Sequence, residues 1–127
     1  MKGITPTPCW RRVKRLEEEG YIKARVALLD REKLGLNLVG FVSVRTSRHD
    51  EQWIEDFTAT VAGIPEVVEF YRLSGETDYL LKIVCQEISD YNRIYRTLIK
   101  TKLLDISASF AMQEIQCTTR LPLGTLD

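Results

Sequence analysis

The chain has 127 residues, of which 44% are hydrophobic, and its 18 Lys and Arg balance 18 Asp and Glu. This length fits one full domain with an appendage, or one compact domain, and the apolar content is enough for a real core. The three cysteines are widely spaced and include no CxxC pair, which argues against a disulfide scaffold and a zinc site and favours a cytoplasmic protein. No apolar run approaches the ~20 residues that cross a bilayer, which argues against a membrane protein.

The charge is unevenly distributed along the chain. Residues 1–33 contain nine Lys/Arg and five Asp/Glu, whereas residues 34–127 contain nine Lys/Arg and thirteen Asp/Glu. A basic head on an acidic body is typical of a nucleic-acid reader attached to a self-associating module.

The first predicted element is a helix with Thr7 as its N-cap, Pro8 in its first position and Gly20 after its end. Its basic residues crowd the first turns, and acidic residues 17–19 follow. This order opposes the helix dipole, so a negative partner such as a phosphate backbone would explain it. The charge run alone more often marks a solvated helix face, and that alternative stays open.

The apolar residues of this helix sharpen the interpretation. Cys9, Val13 and Leu16 recur at the spacing of one helical stripe, with Trp10 beside it. The segment therefore reads as the second half of a helix-turn-helix. In a complete one, two further helices would cover this stripe, but only six residues come before this segment.

A strand over residues 22–29 and a helical turn over 30–34 are predicted next. The remaining elements follow in the order strand 38–45, helix 50–62, strand 67–73, turn 74–78, strand 79–85, helix 89–101 and strand 106–118, with Ser89 as the cap of the second helix. This order predicts an α+β, ferredoxin-like βαββαβ domain. Two helices cover one sheet face, so Val39, Phe41 or their neighbours would point outward as a dimer surface.

Three motifs, in this order and spacing, carry a family resemblance. They are residues 5–22 (TPTPCWRRVKRLEEEGYI), residues 28–36 (LLDREKLGL) and residues 73–81 (LSGETDYLL). The sequence resembles the Lrp/AsnC (leucine-responsive/asparagine-responsive, or feast/famine) transcriptional regulators from Gly3 to about Leu123. The family has two further helices before the point that corresponds to Met1, so this chain resembles a member with a truncated DNA-binding head.

The resemblance implies a regulator that, in a form with a complete head, binds DNA through its recognition helix. It also implies that a small effector, commonly an amino acid, binds at contacts between dimers. It implies a homodimer that assembles further, to an octamer, and no cofactor. The implied domains are a partial helix-turn-helix (1–21), a linking strand and turn (22–36) and an effector-binding and oligomerisation domain (37–127). The residues expected to contact DNA are Thr5, Thr7, Trp10, Arg11, Lys14 and Arg15.

The turn between the second and third strands is the first candidate effector site. Gly75, Glu76 and Thr77 could offer backbone N–H groups to a carboxylate, and Asp78 could meet an ammonium group. Ordinary turn chemistry explains the same residues about as well. Tyr79 is either a wall of this site or a core residue. Met112, in the last strand, belongs to a second candidate wall, which could equally be a plain assembly surface.

No catalytic constellation is apparent in the sequence. His49 is the only histidine and has no nucleophile in a recognisable setting, and the seven glycines are scattered singly. We therefore expect no enzyme. The alternative to a DNA-binding regulator is a stand-alone effector-binding and oligomerisation module that does not bind DNA.

Overall fold

The structure, a computed structural model, describes residues 6–124, with side chains from Pro8 onward. The chain divides into two compact units, and the boundary falls between Asp30 and Arg31.

The first unit contains helix α1 (Pro6–Glu18). It begins earlier than predicted, and Thr7 lies inside its first turn, so the prediction of Thr7 as N-cap was wrong. The reason is that both Pro6 and Pro8 fit a first turn, where backbone N–H groups have no helical partner. Gly20 has φ +83°, which supplies the left-handed backbone that ends the helix.

The predicted strand over residues 22–29 is not formed, which corrects the expected linking strand. The segment pairs with no strand among the described residues. Val26, Leu28 and Leu29 are about three-quarters exposed, at 75%, 73% and 77%. Alternating apolar residues create a potential strand, but a strand needs a hydrogen-bonding neighbour to become part of a sheet.

The second unit is the predicted α+β domain. A helical turn over residues 31–35 precedes it, closed by Gly35 at φ +77°. Its elements are β1 (Leu38–Arg45), α2 (Glu51–Ala62), β2 (Val67–Arg72), β3 (Tyr79–Cys85), α3 (Ile88–Leu98) and β4 (Asp105–Phe110). The four strands form one antiparallel sheet in the order β2-β3-β1-β4, which confirms the βαββαβ prediction.

The core lies between one face of this sheet and the two helices. Val42 pairs with Leu81 across β1 and β3, and both side chains are fully buried. Trp53 and Phe57 from α2, and Ile94 from α3, belong to the same buried cluster. Alternation along β1 and β3 therefore directs one set of side chains to the helices and the other set to the opposite face.

Two boundaries differ from the sequence prediction. The N-cap of α3 is Glu87, not Ser89, because Glu87 and Asp90 form a reciprocal capping box. The last strand ends at Phe110, so the predicted strand over 111–118 is wrong. Met112 and Ile115 are almost fully exposed, and beyond the bond from the Ala111 N–H to the Val39 carbonyl oxygen no described strand pairs with this segment.

In the described part of the chain, none of the three helices is both long enough and apolar enough to cross a membrane.

The packing around Gly40 generates the first prediction. A Cβ atom on Gly40 would lie 3.0 Å from Ile83 Cγ1 and 3.0 Å from Phe110 Cε1. We expect Gly40→Ala to lower the free energy of unfolding by about 1–3 kcal/mol, since the buried Ile83 cannot move aside freely. Urea unfolding at fixed protein concentration measures the change.

Gly63→Ala is the matched control. Its Cβ would meet nothing closer than 3.5 Å, and its φ of −82° suits any residue. This variant should be neutral or more stable by about 0.4–1 kcal/mol. Equal losses in the two variants would contradict the packing argument.

Candidate nucleic-acid and effector sites

Helix α1 separates basic and apolar residues onto opposite sides. Arg11, Lys14 and Arg15 stand at positions i, i+3 and i+4, so they share one face, and all three are exposed. Cys9, Val13 and Leu16 lie roughly half a turn away. The helix is therefore amphipathic, with a basic face that is free to meet a polyanion.

The basic face is mostly unpaired. Arg15 Nε donates to Glu19 Oε1 at 3.2 Å, but both side chains are well exposed, at 77% and 47%. Such surface pairs contribute ~0–1 kcal/mol and exchange readily. Arg11 and Lys14 make no ion pair with any residue that the structure describes.

Trp10 lies on the flank of the helix and contacts a residue that sequence reasoning missed. The guanidinium carbon of Arg25 lies 5.6 Å from the centre of the Trp10 ring, and Arg25 Nε is 3.3 Å from Glu17 Oε1. No local pattern in the sequence signals this contact across fifteen residues. Thr5 lies outside the described residues, and so does the side chain of Thr7.

The predicted effector turn spans residues 74–77 at one end of the sheet. It is closed by a hydrogen bond from the Leu73 N–H to the Asp78 carbonyl oxygen at 2.8 Å. Gly75 has φ +113°, a conformation that essentially only glycine adopts. The four N–H groups of residues 74–77 donate to no other described residue, so they are available to solvent or to a ligand.

Asp78 fastens this turn to the end of β1. Its Oδ2 accepts a hydrogen bond from the Thr46 N–H at 2.8 Å, and its own N–H donates to the Val44 carbonyl oxygen. Thr46 is buried, and its hydroxyl oxygen accepts from the Arg48 N–H at 3.0 Å. One oxygen of Asp78 is therefore structural, while Oδ1 has no partner among the described residues. Sequence reasoning did not find Thr46.

Tyr79 belongs to the core. It is 4% exposed, and its ring centre lies 5.3 Å from that of Phe57 and 5.8 Å from that of Phe70. Of the two interpretations left open for Tyr79, the structure supports the core residue, because the ring lies in the aromatic cluster below the turn.

Met112 lies at the opposite end of the sheet from the turn. Ala111 donates to the Val39 carbonyl oxygen at the start of β1, whereas the turn is tied to Val44 and Thr46 at its end. Seven residues of extended chain separate Val39 from Thr46, which is roughly 23 Å. One copy of the chain therefore does not bring the two candidate walls together.

The sheet face away from the helices is partly covered. Val39 is buried, and Phe41 is 39% exposed. A groove of about 500 Å³ lies between this face and residues 111–117, whose Glu114 is 3.5 Å from Arg31.

A polar cluster marks the β2 side of this face. The Tyr71 hydroxyl donates to Glu69 Oε1, and this bond, followed by the ion pair with Lys82, lowers the pKa of Glu69. The same bond raises the pKa of Tyr71. The open face is thus an apolar strip bordered by charged residues.

This geometry is that of a ferredoxin-like domain preceded in the same chain by a helix with an exposed basic face. The Lrp/AsnC ligand binding domain model matches residues 39–121, and a winged helix-turn-helix DNA-binding model matches residues 3–23. The chain belongs to the Lrp/AsnC family of transcriptional regulators, which are not enzymes.

Relatives among characterised proteins are regulators. The glutamate uptake regulatory protein of Zymomonas mobilis is 47% identical over 122 residues, 95% of this chain and 74% of that protein. The DNA-binding transcriptional activator DecR of Escherichia coli K12 is 43% identical over 123 residues, 95% of this chain and 81% of that protein.

Solved structures agree in fold. An AsnC family transcriptional regulator from Agrobacterium tumefaciens is 46% identical with a TM-score of 0.85, over 98% of this chain and 82% of that chain. A transcriptional regulator from Neisseria meningitidis, crystallised in complex with L-methionine, is 38% identical with a TM-score of 0.86, over 97% of this chain and 80% of that chain.

The Asp78–Thr46 bond yields the second prediction. Asp78→Ala leaves the buried Thr46 N–H without its acceptor, so we expect the free energy of unfolding to fall by about 1–3 kcal/mol. Asp78→Asn keeps an acceptor oxygen in the same place and should lose less than half as much. Urea unfolding distinguishes the two, and equal losses would show that the hydrogen bond is not what fastens the turn.

Proposed function

We propose that this protein is an amino-acid-responsive, DNA-binding regulator of the Lrp/AsnC type that works in the cytoplasm as a homodimer or a larger assembly, up to an octamer. The observation that carries the proposal is an exposed basic face on α1 together with a turn whose backbone donors, and one carboxylate oxygen of Asp78, have no partner among residues 6–124. The relatives support both halves, since one is named as a DNA-binding activator and one solved relative was crystallised with L-methionine.

The proposed DNA contact is made by the basic face. Arg11 and Lys14 have no competing carboxylate among the described residues, and Arg15 has one exposed partner that it can leave at little cost. Phosphate groups would take the place of solvent around these side chains, and counterions released from the DNA would favour binding. Thr5, Thr7 and Trp10 complete the proposed contact set.

The proposed effector site uses the turn from Gly75 to Thr77. An amino acid carries a carboxylate and an ammonium group a few ångströms apart. The free N–H groups of the turn suit the carboxylate, and Asp78 Oδ1 suits the ammonium group. The Thr46 bond to the other oxygen holds the Asp78 carboxylate in place, which lowers the entropic cost of ordering it.

We expect self-association because a single copy leaves apolar residues exposed and its two candidate effector walls far apart. Phe41 on the open sheet face and the apolar residues of segment 22–29 are exposed in one copy. The turn and Met112 lie at opposite ends of the sheet, so a site that uses both needs two copies. These features support a self-associating protein with effector sites between subunits.

One observation favours the alternative of an effector module that does not bind DNA. Leu16, in the apolar stripe of α1, is 40% exposed, and Cys9 and Val13 are only partly buried. A recognition helix must be held rigidly by packing to read DNA. This alternative predicts amino-acid binding without DNA binding.

The DNA-binding half generates the third prediction. Arg11→Ala and Lys14→Ala should each weaken binding to duplex DNA and reduce the slope of log K against log salt by about 0.9. Fluorescence anisotropy with a labelled duplex at several salt concentrations measures both quantities. Arg12→Ala, which removes a charge from the neighbouring flank of the same helix, is the control and should change the slope by less than half as much. Equal slopes for all three variants would indicate non-specific attraction, and no binding by the parent chain would favour the effector module.

The effector half generates the fourth prediction. In a thermal-shift screen of the twenty amino acids, at least one should raise Tm at millimolar concentration, with methionine, leucine and asparagine as first choices. Asp78→Asn keeps the Thr46 bond but removes the charge, so the affinity for the best ligand should fall about tenfold. Light scattering on the same samples, in which we expect a dimer or larger, checks that assembly is unchanged.

Glu55→Gln removes a carboxylate from the exposed face of α2 and serves as the charge-matched control. Its affinity should equal that of the parent. An unchanged affinity in Asp78→Asn would move the site away from the turn and towards the segment around Met112. If none of the twenty amino acids binds, the amino-acid part of the proposal fails.

A further inference from the structure

A second cleft lies on the helical side of the domain, away from the effector turn and the open sheet face. It has a volume of about 400 Å³, within the range of small-molecule sites. One side is a single face of α2 from Trp53 to Thr60, and the other is the end of α3 with the residues that follow it. No function described above uses this cleft.

The cleft is lined by three cations, Arg48, Lys100 and Lys102. Lys100 and Lys102 make no ion pair or hydrogen bond with any described residue. Arg48 is bonded to Asp50 through two nitrogens, at 3.1 Å each. The one carboxylate in the lining, Asp56, accepts a hydrogen bond from Gln52. Positive charge therefore exceeds negative charge around the cleft, and the two lysines hold the excess.

The threonines in the lining do not compete with the lysines as donors. The hydroxyls of Thr60, Thr97 and Thr101 donate to backbone carbonyls one turn or less earlier in the chain. Their hydroxyl protons are therefore already used and are not offered to a ligand. An anionic ligand would therefore be held by the ammonium groups.

Trp53 supplies an independent observation. Trp53 is only 5% exposed, and its Nε1 is a buried donor without an acceptor among the described residues. An unsatisfied buried N–H is costly, and native structures usually provide a partner. Because Trp53 lines the cleft, an acceptor that enters from there could complete this bond.

We propose that this cleft binds a small organic phosphate, with the phosphate group held by Lys100 and Lys102, one of its oxygens accepting from Trp53 Nε1, and the organic part in the rest of the cleft. A compact dianion gains from both ammonium groups at once, whereas a single carboxylate gains less. A volume of about 400 Å³ exceeds that of a phosphate ion, so the ligand carries an organic part. The site is distinct from the proposed amino-acid site, and either can fail without the other.

Phenyl phosphate is the probe, and inorganic phosphate and benzoate are the comparison ligands. The chain has two tryptophans, so Trp10→Phe leaves Trp53 as the sole indole for fluorescence and for the ¹H–¹⁵N indole resonance. Phenyl phosphate should shift the Trp53 resonance and bind at least tenfold more tightly than either comparison ligand. The proposal would be overturned if phenyl phosphate at a concentration on the order of 10 mM left the Trp53 resonance unshifted.

Charge variants test the placement of the phosphate. Lys100→Gln and Lys102→Gln should each weaken phenyl phosphate about three- to tenfold. Asp56→Asn should act in the opposite direction and strengthen it about two- to threefold, which a merely structural role would not produce. Lys23→Gln removes an exposed lysine of the first unit as control. Equal weakening by Lys23→Gln, or no effect of either cleft lysine, would overturn the assignment.

Discussion

The antiparallel pairing of β1 with β3 is the constraint on which the rest of the domain depends. These two strands form the centre of the sheet, and Val42, Val44, Leu81 and Ile83 are all fully buried on one face. A shift of one residue in the register would move this whole set to the other face, so the register is strongly specified. Both helices pack against this set, and the position of the β2–β3 turn beside the end of β1 follows from it. The close contacts at Gly40 belong to the same face.

The loop after β1 connects features that are distant in sequence. Asp78 bonds to Thr46, Thr46 bonds to Arg48, and Arg48 bonds to Asp50, which caps α2. The proposed effector turn and the lysine-lined cleft are thus joined to the two ends of one short, hydrogen-bonded segment. A ligand that alters the Asp78 carboxylate acts directly on a bond that orients this loop. The physical route for any coupling between the two proposed sites is therefore a defined chain of hydrogen bonds.

The elements whose boundaries were predicted correctly are those whose apolar residues are buried by other residues of the same chain. The boundaries of β1 and β3 agree with their apolar alternation, and α2 ends at Ala62 as its stripe indicates. The failures lie at residues 22–29 and 111–118, where the alternation is real but no described strand is available as a neighbour. The turn between β2 and β3 was predicted from its glycine and aspartate, and its role as an effector site stays a prediction. The contacts of Thr46 and Arg25 were not predicted, because they span 32 and 15 residues of sequence, and no local pattern encodes such a contact.

Both failed strand predictions point to the same physical requirement. A segment such as Val26–Leu29 keeps its apolar residues in water at a cost of about 25 cal/mol per Å² until something covers them, and a second copy carries the same segment. If the effector site also needs a second copy, because its two walls lie at opposite ends of one sheet, ligand binding and assembly are linked. A ligand that binds only between copies must stabilise the assembly by the same free energy with which assembly strengthens ligand binding. On the proposed function, a ligand that binds between copies would change DNA occupancy by changing how many copies associate.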